Sequence, residues 1–207
     1  MSNLPVDGTP LAATPLTRAV LEIDEYAAGL GWDQPARLFA LVDTRALRAQ
    51  EPALAEQLGL ADAEPDNPDN PDNAGNAGNP GSAGTGAPAA LTPIEQDELP
   101  AGVPLDEFLG TIAWPDAVTG CALTVERLML PPAAEESIPD GLDEAALNKW
   151  VAEHPERREI RMTVAVLRDG GRESALRLRE KDTPTEVLTG SSLVPGLADA
   201  LAATFED

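Results

Sequence analysis

Four residues near the C-terminal third could form an anion-recognition surface: Arg161, Thr163, Arg177 and Arg179. The guanidinium groups are pure donors that bind carboxylate or phosphate by paired hydrogen bonds, and the hydroxyl can add one more donor. Their setting sharpens the point. The chain has 36 acidic and 14 basic residues, a formal charge of -22, and eight of the basic ones lie between Arg157 and Lys181. A local concentration of the minority sign suggests a contact surface.

Other chemistry is thinly represented. His154 is the only histidine and precedes Pro155, at the end of an expected helix whose dipole favours an imidazolium. A structural role there outweighs general-base catalysis. Cys121 is the only cysteine and alternates with Leu123 and Val125, as a small buried hydrophobe would. One Cys with one His excludes a Cys/His zinc site within a single chain, and the sequence has no phosphate loop, nucleophile elbow or His-Glu-x-x-His. Acidic pairs such as Glu135-Glu136 and Asp143-Glu144 are expected by chance in so acidic a chain. Trp32, Trp114 and Trp150 read as core or interface anchors. The expectation is a protein without enzymatic activity, metal or cofactor.

The arginines need a sheet to hold them. Ile160, Met162, Val164 and Val166 alternate with Arg161, Thr163, Ala165 and Leu167, and Leu176 and Leu178 alternate with Arg177 and Arg179. A three-residue loop, Asp169-Gly170-Gly171 with Gly171 left-handed, pairs Val164 with Leu176 and Met162 with Leu178. That register sets Arg161 across from Arg179 and Thr163 across from Arg177. Like charges directly opposite require something anionic between them. Glu126 on the preceding strand and Glu159 or Glu180 nearby are the plain answer; an acidic partner segment or anionic ligand is the sharper one.

Around the hairpin, Thr14-Pro15 starts a helix with apolar positions at Leu16, Ala19, Val20, Ile23, Ala27 and Leu30, leaving Glu22, Asp24 and Glu25 off the stripe. Arg37 to Val42 is a short buried strand, and Asp43 or Thr44 caps a helix that Pro52 divides. Ile94 to Leu99 reads as an edge strand, Leu105 to Ile112 as a short helix, and Gly120 to Leu130 as a long strand ended by Pro131-Pro132. Asp140 caps a helix through Trp150, and Leu193 to Phe205 forms the last one. Residues 61–90, with three PDN triplets and no Leu, Ile, Val or aromatic residue, read as a disordered linker. Asp66, Asp69 and Asp72 make a poor calcium loop because proline recurs and no closing Glu follows. The fold class is therefore α+β, an antiparallel sheet with helices mainly on one face, built as one domain from 1–60 and 91–207.

The acidic field disfavours nucleic acid and anionic membrane surfaces, and no apolar run reaches membrane-spanning length. With one cysteine and no signal-like N-terminus, a cytoplasmic location is expected.

Two stretches, Gly31 to Thr44 (GWDQPARLFALVDT) and Val187 to Leu201 (VLTGSSLVPGLADAL), resemble an uncharacterised family of actinobacterial cytoplasmic proteins. The element order is similar to that of type III secretion chaperone-like domains, apart from the extra helices after Val42 and around Leu105. That similarity implies a small, acidic, often dimeric protein that binds extended partner segments. The expected function is thus a non-enzymatic protein-binding or chaperone-like module that could also form a homodimer; the alternative is a regulatory domain binding a small molecule or anion through the arginine face.

Overall fold

The computed structural model describes residues 13–60, 90–97, 99 and 103–206. The expected linker and the Asp66, Asp69 and Asp72 reading fall outside the described residues, apart from Ala90.

The first helix, α1 (Pro15–Gly29), begins where Pro15 supplies a preset φ and Thr14 Oγ1 accepts the Thr17 amide at 3.0 Å. Its stripe of Leu16, Ala19, Val20, Ile23 and Ala27 is buried, and so is Asp24. Then come β1 (Arg37–Asp43), α2 (Thr44–Gln50), capped by Asp43 through the Ala46 amide, and α3 (Pro52–Gln57), which Pro52 separates from α2. They are followed by β2 (Leu91–Glu95), α4 (Leu105–Leu109), β3 (Val118–Met129) and α5 (Pro132–Glu135). The chain closes with α6 (Glu144–Glu153), β4 (Arg158–Leu167), β5 (Arg172–Leu178), β6 (Leu188–Thr189) and α7 (Pro195–Ala203). Two single turns of 3-10 helix, 179–181 and 184–186, link β5 to β6.

The six strands of the described residues form one antiparallel sheet in the order β2-β1-β3-β4-β5-β6, so the fold is α+β as expected. Strands from either side of residues 61–89 pair directly, β1 with β2. Two layers of side chains flank the sheet. On one face Leu38, Leu123, Val125, Val164 and Val166 pack with α4 and α7, and Ala40 and Val42 pack with Leu47 of α2 and Leu54 of α3. On the other face α1 lies over Phe39, Leu41, Ala122, Ala165 and Ala175, with Val187 packed against them. The small residues at 122, 165 and 175 let the helix approach closely, and Gly120 does the same within the sheet. A Cβ there would stand 2.5 Å from the Val166 carbonyl oxygen and 2.6 Å from Leu167 Cδ2.

Several local expectations shift. The edge strand starts at Leu91 rather than Ile94, and α4 ends at Leu109, short of Ile112. Asp143, not Asp140, caps α6 by accepting the Ala146 amide at 2.8 Å, because Gly141 takes a positive φ and the chain turns once more before helix begins. The hairpin register is corrected by two residues: Arg161 faces Arg177, Met162 faces Leu176 and Thr163 faces Ala175. The loop keeps three residues but is Arg168-Asp169-Gly170, closed by the Leu167 amide on the Gly171 carbonyl at 2.8 Å, and Gly170 is the left-handed residue with φ 92°. Arg179 consequently lies past the strand, in the first 3-10 turn.

Candidate functional site

The predicted residues converge, but beneath α1. Arg161 and Arg177 are 1% and 4% exposed, and Thr163 is fully buried with its hydroxyl on Thr124 Oγ1 at 3.2 Å. Arg161 donates to Glu126 at 2.7 Å and to the Gly31 carbonyl, and its guanidinium lies 4.5 Å from the Trp32 ring. Arg177 sends Nε and Nη2 to the Asp24 carboxylate at 3.1 and 2.5 Å and Nη1 to Asp182 at 3.1 Å. Arg179 is exposed and held by Asp33 at 3.0 Å and by Glu159, again beside Trp32.

The like-charge pair Arg161–Arg177 is thus neutralised inside the chain, by Glu126 as anticipated and by Asp24 and Asp182. Asp24 was invisible in the sequence because a charge one step past Ile23 reads as solvent-facing; only the long-range placement of β5 under α1 reveals its partner. The Trp32 indole N–H donates to Asp182 at 2.8 Å, and with Arg177 this outweighs burial and holds that carboxyl below its ordinary range. The cluster is a lock between α1, the Gly31–Asp33 turn and β3–β5, with most of its donors on protein acceptors; Arg161 Nη1 and Asp24 Oδ1 are buried without a hydrogen-bond partner among the described residues. At 4% exposure or less, Arg161, Thr163 and Arg177 present almost no surface to a free anion.

The other reactive types are also engaged structurally. Cys121 lies under α7 with its Sγ near Thr204 Oγ1, and burial pushes its thiol up to about 12. His154 Nδ1 accepts the Glu156 amide at 3.2 Å, and its ring lies 4.7 Å from that of Trp150.

An open surface lies elsewhere, along the sheet edge. A groove of about 410 Å³ runs over β2 between α1 and the end of α3, lined by Ile23, Tyr26, Phe39, Leu58, Pro93 and Ile94 and flanked by Glu22 and Glu95. Tyr26 and Leu58 are 46% and 41% exposed. The Tyr26 ring meets Phe39 edge-on at 6.3 Å, and its hydroxyl donates to Glu95 at 2.8 Å, which with partial burial raises the phenol pKa. Glu95 also receives Arg37. Glu22 has no ion-pair partner among the described residues, and its apolar surroundings raise its carboxyl. The sequence carried two signals for this site, a tyrosine off the α1 stripe and a proline inside β2, but neither acquires meaning until α1 and β2 are placed side by side.

Fold and surface define an α+β protein with an ion-paired interior lock and an acid-flanked apolar groove. The chain belongs to the PPA1309-like protein family, whose family model matches residues 16–206. Comparison with curated proteins gives no match, and neither does comparison with solved structures. Among the described residues no helix is long and apolar enough to cross a membrane.

Proposed function

We propose that this protein is a non-enzymatic binding module that docks a segment of a partner protein in the groove over β2. The reading includes the chaperone-like character, cytoplasmic setting and actinobacterial origin expected from the sequence. The observation that carries it is the groove itself, an exposed concave surface of aliphatic and aromatic groups within the size range of binding sites and with fixed polar groups at its rim. The sealed thiol of Cys121 and the engaged imidazole of His154 support a binding role over catalysis.

Partner contact accordingly moves from the arginine face to the groove. Peptide display against the full chain tests this. Enriched sequences should lose binding to Tyr26→Asp and keep it with Arg179→Ala. Peptides that ignore Tyr26→Asp but are lost with Arg179→Ala would return the site to the arginines.

A further inference from the structure

We infer that the groove seats an amphipathic helix of a partner protein, its apolar stripe against Tyr26, Leu58 and Ile94 and a lysine or arginine against Glu22. This rests on the binding-module reading above. The sheet edge refuses an added strand. The Gln96 amide donates to the Leu38 carbonyl and the Thr44 amide to that of Ala90, so the even residues of β2 bond inward to β1. By strand alternation, the backbone groups of Leu91, Pro93 and Glu95 face outward. Pro93 has no N–H, and the outward row lacks its central donor. An added strand would find an interrupted ladder, which is how protein edges resist strand pairing. Recognition must then come from side chains.

The groove wall disfavours a polyproline segment as well. A polyproline segment docks between open aromatic rings with free donors. Here Phe39 is buried, and the Tyr26 hydroxyl is already committed to Glu95. The remaining wall is aliphatic and suits apolar anchors spaced along one helix face. Charge favours a cationic helix. Glu22 borders apolar surface without a cationic partner among the described residues, and a cation from the ligand would supply one. The net charge of -22 draws cationic segments towards the chain.

Fluorescence anisotropy with the full chain tests the inference, using a labelled amphipathic Leu/Lys peptide, a scrambled peptide of the same composition and a Leu/Glu counterpart. The Leu/Lys peptide should bind and gain helical circular dichroism. Tyr26→Asp should weaken it at least about tenfold and Glu22→Gln about fivefold, while Glu107→Gln on the far side changes nothing. Tyr26 and Glu22 are exposed, and a retained cooperative unfolding transition confirms that each variant folds. Equal binding of the scrambled or Leu/Glu peptide, or indifference to Glu22→Gln, overturns the inference. Sedimentation showing self-association that Tyr26→Asp abolishes would assign the groove to a second copy and overturn it too. Display peptides that depend on Tyr26 but bind as non-helical or anionic segments would sink the helix and leave the binding module standing. If no peptide depends on Tyr26, both fall.

Discussion

Replacing Arg177 by methionine should be among the most damaging single changes in the chain. The substitution keeps the apolar stem and removes the charge that neutralises Asp24, itself 1% exposed. A carboxylate left alone under α1 loses two hydrogen bonds and its counter-charge, and breaking a buried pair in this way costs about 3–5 kcal/mol. For a domain of this size each kcal/mol moves Tm by about 2–4 °C, so a fall of roughly 6–20 °C is expected. Urea and thermal unfolding followed by circular dichroism read it directly. Asp24→Leu alone should cost a comparable amount because it leaves Arg177 buried with only Asp182. The double variant should recover much of the loss, since an apolar pair of similar volume is often neutral or better at a buried ion-pair position. Arg179→Ala, on an exposed pair, should leave Tm nearly unchanged. The reasoning is refuted if Arg177→Met costs less than about 1 kcal/mol, or if the double variant is no more stable than either single one.

Three further outcomes follow from local geometry. Gly120→Ala should destabilise by about 1–3 kcal/mol in urea unfolding, because its Cβ would press on the Val166 carbonyl and push β3 from β4; an unchanged midpoint would contradict that close approach. The single tyrosine should titrate above its ordinary value when tyrosinate absorbance is followed, and Glu95→Gln should bring it back down; because the raised phenol favours the neutral form, its stabilisation is present below about pH 10 and fades as pH rises above that. The depressed carboxyl of Asp182 works in the opposite sense. Its contribution is present above the ordinary carboxylate range and lost as pH falls through it, so the Tm advantage of wild type over Asp182→Asn should shrink below about pH 4.

The parts of the fold that one element dictates by itself were legible. Thr14-Pro15 and the apolar stripe determine α1, Pro52 divides α2 from α3, and alternation assigns Arg161, Thr163 and Arg177 to one face of the sheet. The hairpin register was not. A shift of two residues preserves every inward and outward side chain, so burial cannot choose between pairing Val164 with Leu176 and pairing it with Ser174. The loop decides, through the left-handed Gly170 and the bond from Leu167 to Gly171. The covering of the arginine face was not legible, for a longer-range reason. An alternating polar face looks open until another element covers it, and nothing near Arg177 in sequence announces that Asp24, 153 residues away, will descend onto it. The groove has the same origin, since Tyr26, Leu58 and Ile94 come from three separate elements.

The central claim is that partner contact belongs to the groove over β2 and not to the arginine cluster. Amide hydrogen exchange of the full chain, with and without a saturating display-selected peptide, tests it most directly. The account predicts added protection in α1 around Tyr26 and in residues 91–95, with exchange across 158–161 and 177–182 unchanged. Protection confined to 158–161 and 177–182, with the groove unaffected, would contradict it.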